Sequence, residues 1–581
     1  MTTVTAAEAL VTQLRSYGVE YVFGTCGHTN IALLDALGPS PIEFVIARHE
    51  QTAAHAADGY ARATGRPGVL LTHVGPGMMN AVTGVATAAL DSIPLVVISG
   101  DIPSYYHGRH PHQEVNLHAD ADQSAIYRPF TKRTWHVQRV QDLGRATERA
   151  FWTATSGRPG AVLVNVPMDL FNRQVQPYDH PLPVHLGRPG LDEPTAVRIA
   201  EALLTAQRPL IYFGGGIRDL RARTALLDLA EHLDIPLTHS LMGKGVLPDG
   251  HPLLLGMPGF WGVESTHEHT KGADVVLAVG TRFAETDASS WESAYTWNFP
   301  PSRLIQIDLD PAEIGRNYPV ETGVVADAGL ALEAITAAVR ERRSAPLTRP
   351  GLRDSITAAR RTVFDAAREA GRSDDFPLRP QRILADLRDA LPEDAVLVTD
   401  VGWNKNGVAQ CYELPDQGRF ITPGGASTMG FGPAAAVGVQ LAQPDRVVVA
   451  LIGDGGMSAQ LPALPMAVEQ GAPVIFVVMN NRAHGTIADL QAGAFGRSYG
   501  CEFTDPEGRP YSPDFARYAE SCGADGYVID VPADLRKALA DAIARRRPAV
   551  LDVPMVNEPV PTPGHWNIKD IYAGTFPADT A

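Results

Sequence analysis

One carboxylate and one carboxamide in this chain follow two apolar segments in a way that suits a magnesium ion. Gly453-Asp454-Gly455 comes directly after the apolar run 447–452, and Asn480-Asn481 comes directly after the apolar run 474–479. Mg²⁺ prefers hard oxygen ligands and usually completes its octahedral shell with water and phosphate oxygens. Asp454, Asn481 and a main-chain carbonyl near Ala483 would supply three such oxygens.

The glycines around Asp454 favour a phosphate beside the metal. After the turn at Gly453, Gly455 and Gly456 would leave backbone N–H groups free at the start of a helix, where anions bind well. Two ordinary turns are the alternative, because Gly-Asp-Gly alone is a common turn. The pairing of two strand ends favours the metal and phosphate site.

A second acidic residue, Glu50, follows the apolar segment 44–46 and begins a stretch rich in alanine. A carboxylate that is partly buried at a sheet edge has a raised pKa, so it can share a proton with a ring nitrogen near neutral pH. Alternatively, Glu50 only stabilises the N-terminus of its helix through the helix dipole. The residues alone leave both roles open.

Histidines are concentrated in the N-terminal third, which contains His28, His73, His107, His110, His112 and the neighbouring Gln113. Neutral imidazole both donates and accepts protons near pH 7, which suits proton transfer to a developing alkoxide. His28 and His73 each follow a predicted strand in the unit that carries Glu50, so we expect both to face one pocket. A histidine in a loop is more often a surface group, and we interpret His107 in that way.

Short apolar runs alternate with helical stretches along the whole chain, which is typical of parallel α/β proteins. Strands are predicted at 21–23, 44–46, 68–72, 95–99, 162–166, 210–213, 275–279, 304–307, 396–399, 447–452 and 474–479, and a charged helix near 352–370. The pattern predicts three doubly wound parallel-sheet domains and a tail, at 1–175, 186–343, 375–556 and 557–581.

Composition excludes several classes of protein. The 581 residues carry a formal charge of −16, which argues against a nucleic-acid partner or an anionic membrane surface. No apolar run reaches the roughly 18 residues that a membrane span needs. Residues 1–5 lack the basic start and apolar region of a secretion signal, and the four cysteines form no C-x-x-C pair. We therefore expect a cytoplasmic protein.

The spacing G-D-G-x24-N-N resembles the fingerprint of enzymes that use thiamine diphosphate (ThDP), and the three-domain layout resembles their acetolactate synthase and pyruvate oxidase group. Other segments share this resemblance, namely 48–51 with 54–62, 75–77, 307–315 and 428–432. The resemblance implies a pyrimidine-binding domain, a central domain and a diphosphate-binding domain, in that order, with ThDP and Mg²⁺ as cofactors.

The same resemblance implies an activity and a mechanism. Glu50 would bond the aminopyrimidine ring and promote the imino tautomer, which deprotonates the thiazolium C2 to an ylid. A 2-oxo acid would add to the ylid and lose CO₂, and the resulting enamine would attack a second carbonyl. His28, His73 and Gln113 would handle protons on the substrate.

Further positions implied by the resemblance concern the cofactor and the assembly. Met429 would hold the cofactor bent, although simple core packing is the usual role of a methionine. The main-chain carbonyl near Ser427 would accept from the cofactor amine, and Gly27, Pro76 and Asn80 would also contact the cofactor. The glutamate and the Mg²⁺ site would lie on different subunits, which implies a homodimer or homotetramer with active sites at the interface.

Departures from the family pattern keep the reaction open. Cys26 stands where many members have proline, and typical acetolactate synthases have no histidine at the positions of His28 and His73. Gly27-His28 resembles benzaldehyde lyase and cyclohexane-1,2-dione hydrolase, and His73 resembles benzoylformate decarboxylases. A lyase or hydrolase acting on an acyloin or 1,2-diketone, and a non-catalytic ThDP-binding subunit, are therefore alternatives to the 2-oxo acid carboligase.

A nucleotide in the central domain is a further expectation. Gly214-Gly215-Gly216 follows a predicted strand, and a glycine-rich turn can accommodate phosphates. The segments 241–245 and 280–283, with Asp308, resemble the FAD-binding elements of acetohydroxyacid synthases. FAD, ADP and no nucleotide at all are each compatible with these residues.

Overall fold

Three six-stranded sheets, each with all strands parallel, organise the chain. The computed structural model describes residues 3–115, 123–182, 187–558 and 568–569. Helices cover the sheets, as the apolar character of the strands on both faces requires. The predicted α/β fold class, with three parallel-sheet units, is confirmed.

The N-terminal sheet has the strand order β3-β2-β4-β5-β7-β6, and a small antiparallel pair of β1 and β8 lies beside it. Its elements are β1 (Val4–Thr5), α1 (Ala6–Ser16), β2 (Tyr21–Gly24), α2 (Ile31–Leu37), β3 (Glu43–Ile46), α3 (Glu50–Thr64), β4 (Gly68–Thr72), α4 (Pro76–Leu90), β5 (Leu95–Asp101), β6 (Arg133–His136), α5 (Leu143–Thr155), β7 (Ala161–Pro167), α6 (Met168–Phe171) and β8 (Gln174–Val175).

The central sheet has the order β11-β10-β9-β12-β13-β14. Its elements are α7 (Glu193–Thr205), β9 (Pro209–Phe213), α8 (Leu220–Leu233), β10 (Leu237–His239), β11 (Leu254–Gly256), α9 (Glu264–Gly272), β12 (Val275–Val279), β13 (Arg303–Asp308), β14 (Thr322–Val325) and α10 (Ala328–Arg342). The long amphipathic helix α11 (Leu352–Ala370) connects this unit to the last one.

The C-terminal sheet has the order β16-β15-β17-β18-β20-β19. Its elements are α12 (Pro380–Ala390), β15 (Val396–Thr399), α13 (Trp403–Cys411), β16 (Arg419–Ile421), α14 (Phe431–Ala442), β17 (Val448–Gly453), α15 (Asp454–Ala459), α16 (Ala463–Glu469), β18 (Ile475–Asn480), α17 (Gly485–Phe495), α18 (Phe515–Ser521), β19 (Asp525–Val528), α19 (Pro532–Arg545) and β20 (Ala549–Pro554).

The strands predicted from sequence are all present, with ends that differ by at most two residues, and the predicted helix at 352–370 is α11. Sequence reasoning missed mainly short or polar edge strands, such as β6, β14 and β16. Most of the predicted tail, at 559–567 and 570–581, lies outside the described residues. Within the described part of the chain, no helix is long and apolar enough to cross a membrane.

The N-terminal and C-terminal units of one chain pack through α3 and α14. A Cβ on Gly59 would lie 2.1 Å from the Ala435 oxygen, and one on Gly438 would lie 1.8 Å from the Ala56 oxygen. Only glycine permits such an approach of two helix backbones. The tight contact fixes the start of α3, where Glu50 lies, relative to the third sheet.

A buried charged network joins the same two units. Arg62 bonds Asp58 at 2.6 Å and Asp91 at 2.8 Å, and it also donates to the Thr422 carbonyl at 3.0 Å. The three charged side chains are at most 5% exposed. Because two carboxylates share one guanidinium, its removal would leave both without a counter-charge.

Replacing Arg62 by methionine is expected to cost about 3–5 kcal/mol, the usual effect of removing one partner from a buried ion pair. The measurement is the urea midpoint of unfolding. Arg66→Met is the matched control, because Arg66 pairs with Glu20 at the surface and such pairs contribute at most about 1 kcal/mol. Equal midpoints for the two variants would contradict the prediction.

Candidate active site

The predicted metal ligands lie together at the C-terminal edge of the third sheet. Strands β17 and β18 are neighbours, with Gly453 opposite Met479, so Asp454 and Asn481 follow adjacent strand ends. One side-chain atom of Asn481 faces Asp454 Oδ1 at 3.2 Å and the Ala483 main-chain oxygen at 3.1 Å. The other donates to Asn557 Oδ1 at 2.9 Å if it is the amide nitrogen.

The Asn481 amide can be placed in two orientations, and only one of them requires a bound cation. With its nitrogen toward Asp454, the amide donates two hydrogen bonds and needs no ion. With its oxygen there, three oxygens converge and only a cation can hold them together. Their separations are close to the edge of about 3.0 Å in an octahedron with metal–oxygen bonds of 2.1 Å.

The surroundings of Asp454 fit the second orientation. Asp454 is 1% exposed, and its Oδ2 has no hydrogen-bond partner among the described residues. Burial raises the pKa of Asp454 to about 6, since it forms no ion pair in the described part of the chain. A buried carboxylate without a counter-charge is costly unless a cation binds it. The donor set therefore fits a small divalent cation such as Mg²⁺.

The glycines beside Asp454 have different neighbours. A Cβ on Gly456 would lie 1.8 Å from Asp400 Oδ2, and one on Gly455 would meet His484 at 2.8 Å. A Cβ on Gly453 would meet nothing within 4 Å. Asp400, which sequence reasoning missed, accepts from the N–H groups of Gly430 and Gly432 and so caps α14.

Glu50 is the first residue of α3 and lies at the edge of the first sheet. It is 9% exposed, and its two oxygens accept hydrogen bonds from neutral donors, Thr25 Oγ1 at 2.5 Å and Asn80 Nδ2 at 3.0 Å. Among the described residues it has no ion-pair partner. The cap of α3 is supplied by the His49 side chain, which accepts from the Gln51 N–H. Glu50 is thus available for a role other than capping.

His73 lies directly beside Glu50. A Cβ on Gly77 would lie 3.2 Å from Glu50 Oε1 and 3.4 Å from His73 Cβ. The imidazole packs over Gly27, where a Cβ would lie 2.3 Å from His73 Cγ. Burial and the neighbouring His28 lower the pKa of His73, while Glu50 and Gln113 act in the opposite direction. His73 is therefore neutral at physiological pH.

His28 and His73, which we expected to face one pocket, lie next to each other. Their ring centres are 5.0 Å apart, and His112, which we did not predict as a site residue, lies 6.1 Å from His28. His107 instead lies 5.8 Å from His136, away from this group. The histidine-rich composition of residues 107–112 was a signal for His112, but spacing could not distinguish it from its neighbours.

Met429 and Ser427 lie on the loop before α14. Met429 is 41% exposed, and its sulfur would be 3.6 Å from a Cβ on Gly455, so it borders the metal side of the site. Ser427 has a φ of +47° and accepts from Lys405 Nζ at 2.9 Å. Lys405, also missed from sequence, is 2% exposed and lies 5.0 Å over the Trp261 ring. Burial lowers its pKa to about 8.

In one chain these residues form two half-sites. Glu50 and the histidines lie on the first sheet, and Asp454, Asn481 and Met429 lie on the third. In the described ranges, no hydrogen bond, ion pair or ring contact joins the two groups. Pro76 begins α4 next to the first half-site and is half-buried.

The ends of β9, β12 and β13 lie side by side at one edge of the central sheet. A Cβ on Gly216 would lie 2.5 Å from Gly280 Cα, so these glycines allow two turns to approach closely. Arg218 follows β9, is exposed, and donates to the Ser92 main-chain oxygen at 3.0 Å. Burial raises the pKa of Asp308, which ends β13.

Three parallel sheets, with a buried glutamate at the edge of the first and an aspartate–asparagine pair at the edge of the third, are the arrangement expected of a ThDP enzyme. The chain matches the N-terminal TPP binding domain, the central domain and the C-terminal TPP binding domain of thiamine pyrophosphate enzymes, at residues 4–126, 197–335 and 400–553. Thiamine pyrophosphate is another name for ThDP. The chain therefore belongs to the thiamine pyrophosphate enzyme family.

Whole-chain relatives agree with this assignment. The chain is 34% identical to a probable acetolactate synthase large subunit of Methanocaldococcus jannaschii, over 94% of this chain and 91% of that protein. It is also 34% identical to the acetolactate synthase isozyme 3 large subunit of Escherichia coli, over 94% and 93%. The acetolactate synthase of Arthrospira platensis is 33% identical over 97% of both chains.

Proposed function

We propose that this protein is a ThDP- and Mg²⁺-dependent carboligase that decarboxylates a 2-oxo acid and joins the remaining fragment to a second carbonyl compound. The main support for this proposal is the pair of half-sites, in a chain that aligns with acetolactate synthases along 94% of its length. One half-site has an unpaired buried carboxylate at Glu50. The other has the oxygens of Asp454, Asn481 and Ala483.

The second half-site would hold the metal and the diphosphate. Asp454, Asn481 and the Ala483 carbonyl would bind Mg²⁺, and the N–H groups of Gly455 and Gly456 would donate to the diphosphate. When bound, ThDP supplies a nucleophilic carbon and takes up the electron pair that decarboxylation releases. Met429 would support the cofactor through its apolar side chain.

The first half-site would hold the pyrimidine end. Glu50 would hold a proton at a ring nitrogen, and its bonds from Thr25 and Asn80 keep the carboxylate oriented. We propose further cofactor contacts. The Ser427 main-chain carbonyl would accept a hydrogen bond from the cofactor amino group, and the backbone at Gly27, Pro76 and Gly453 would approach the cofactor closely.

Protons on the substrate would be handled by His28, His73 and Gln113. A neutral His73 can give a proton to a developing alkoxide and regain it later. The hydrogen bond between Thr29 Oγ1 and His73 Nδ1, at 3.3 Å, would orient the ring. Because the ring packs directly over Gly27, its position depends on the absence of a side chain there.

Gly27→Ala is expected to displace the His73 ring and lower turnover about 100-fold, the effect of misplacing a reacting group by about 1 Å. Mg²⁺ affinity should stay within a few-fold, since the metal half-site is on another sheet, and turnover is compared at saturating ThDP because Gly27 is also a proposed cofactor contact. Steady-state kcat is the measurement. Gly38→Ala is the control, because its Cβ would meet nothing closer than 3.4 Å. Full activity of Gly27→Ala would contradict the role of His73.

We further propose that the active unit is a homodimer or a homotetramer, with each site shared between two subunits. The separation of the two half-sites within one chain supports this arrangement, as do apolar side chains exposed near them, Ile31, Met79 and Met429. Co-expressing Glu50→Gln and Asp454→Asn chains should restore about one quarter of wild-type activity, since half of the dimers would be mixed, each with one intact site. No recovery would indicate that each site lies within one chain.

For the central unit we propose a bound nucleotide, FAD or ADP, at the strand ends beside Gly214–Gly216, Arg218 and Asp308. We assign this unit to 186–343, and the two ends of ThDP to the units at 1–175 and 375–556. The absorption spectrum of the purified protein distinguishes a flavin from a colourless nucleotide, and chromatography of the denatured supernatant identifies either one. If the supernatant contains neither nucleotide, the proposal is contradicted.

We propose a cytoplasmic location, because Cys26, Cys411, Cys501 and Cys522 are all free thiols. Fractionation of the producing cells tests this location. Appearance of the protein outside the cytoplasmic fraction would contradict it.

Incubating the holoenzyme with pyruvate tests the proposed reaction. Release of CO₂ together with acetolactate is the expected result. If the enzyme does not react with 2-oxo acids but cleaves benzoins or cyclic diones, it is instead an acyloin or 1,2-diketone lyase. No turnover of any of these compounds at full ThDP occupancy would indicate a non-catalytic subunit.

A further inference from the structure

Three imidazoles converge at the edge of the N-terminal sheet, where only two were assigned a role. His28 lies in the turn after β2, His73 directly follows β4, and His112 lies in the loop between β5 and β6. The ring centres of His28 are 5.0 Å from His73 and 6.1 Å from His112. His28 and His112 are exposed, so a ligand can reach this histidine trio directly.

In the described part of the chain, no carboxylate lies within 4 Å of a ring nitrogen of the histidine trio. His136, His180 and His251 each lie within 4 Å of a carboxylate, at 3.6, 3.7 and 3.3 Å. Among the described residues, the acidic group that acts on His73 is Glu50, whose oxygens are already bonded to Thr25 and Asn80. Within the described residues, the carboxylate of a ligand would therefore meet no competing ion pair at the trio.

We propose that His112, together with His28 and His73, forms a subsite that binds the carboxylate of the acceptor substrate. The inference rests on the proposed function and takes the second carbonyl compound to be a 2-oxo acid, as it is when pyruvate alone forms acetolactate. Each imidazole has an N–H group that can donate to a carboxylate, and hydrogen bonds to a charged acceptor are stronger than those to a neutral one.

The acceptor, rather than the donor, fits this subsite for an energetic reason. The donor loses its carboxylate as CO₂, so tight charge-assisted binding of that group would stabilise the ground state and oppose the reaction. The acceptor keeps its carboxylate from binding to product. The interaction of the acceptor carboxylate with the subsite therefore persists throughout carbon–carbon bond formation.

A competition between two acceptors tests the subsite. Pyruvate and methyl pyruvate present the same ketone, but only pyruvate carries a charge, and only pyruvate can also serve as donor. In one mixture, the wild-type holoenzyme should favour acetolactate over its methyl ester. His112→Gln should shift that product ratio toward the ester by about 10- to 100-fold, the effect of losing one hydrogen bond to a charged group.

His107→Gln is the matched control, because His107 lies in the same loop but contacts His136 rather than the trio. It should leave the product ratio unchanged. A product ratio unaltered by His112→Gln, or equally altered by both substitutions, would overturn the proposal. Since both products come from one mixture, differences in folding or cofactor loading cancel.

A binding measurement separates failure of this subsite from failure of the proposed function. Glu50→Gln protein loaded with ThDP and Mg²⁺ can be titrated calorimetrically with pyruvate and with methyl pyruvate. Tighter binding of pyruvate, lost on adding His112→Gln, would support the subsite even if the wild type releases no CO₂. Equal affinity for the two compounds would overturn the subsite, whether or not CO₂ is released.

Discussion

The Glu50→Gln holoenzyme is expected to turn over about 10²- to 10⁴-fold more slowly than wild type, the usual contribution of a positioned acid–base group. The amide keeps the shape of the side chain: its oxygen can still accept from Asn80, and its NH2 group can donate to the Thr25 hydroxyl, but it cannot exchange a proton. The measurement is the rate of CO₂ release from pyruvate at saturating ThDP and Mg²⁺. ThDP affinity is measured in parallel.

Glu43→Gln is the control for this experiment. Glu43 begins β3, the strand that leads to Glu50, and is exposed, so its charge is solvated in the same sheet. It should retain wild-type turnover. A Glu50→Gln enzyme with near-normal rates would remove Glu50 from the proposed proton transfer. If weaker ThDP binding accounts for the whole loss of turnover, Glu50 contributes to cofactor affinity and not to proton transfer.

Asp454→Asn is expected to weaken Mg²⁺ binding by at least about 100-fold, because loss of a partner that merely orients a metal ligand already costs 10- to 100-fold. The substitution preserves shape and removes the negative charge that attracts the ion. ThDP binding should weaken in parallel, since its diphosphate is proposed to bind through the metal. Calorimetric titration of the apoprotein with ThDP at several Mg²⁺ concentrations measures both effects.

Thermal unfolding gives a second readout of the same prediction. In the wild type, Mg²⁺ with ThDP should raise the melting temperature, because ligands that bind only the native state stabilise it. The variant should gain nothing from them, yet its apoprotein should be no less stable, because a buried uncompensated carboxylate has been removed. Asp489→Asn, at an exposed position on α17, should behave as wild type. A normal ligand-induced shift in Asp454→Asn would contradict the metal site.

Elements with a strong local signature were predictable from the sequence. Buried parallel strands such as β4, β12 and β15 are continuous apolar runs, and α11 has one apolar stripe over nineteen residues. Edge strands such as β6 and β16 have no such run, because one side faces solvent and their pairing depends on a neighbour. Strand β20 was missed although it is central, because Asp552 and Pro554 interrupt it.

The sequence by itself determined the class of fold, the three sheets and the types of residue at their strand ends, since these follow from local periodicity and from the spacing of a few motifs. Only the tertiary structure decided which of those residues meet. The Thr25–Glu50 bond, the position of His73 over Gly27, the approach of His112 and the Lys405–Ser427 contact each join segments that are distant in the chain. Such contacts depend on how loops and helices pack, which no local pattern of residues encodes.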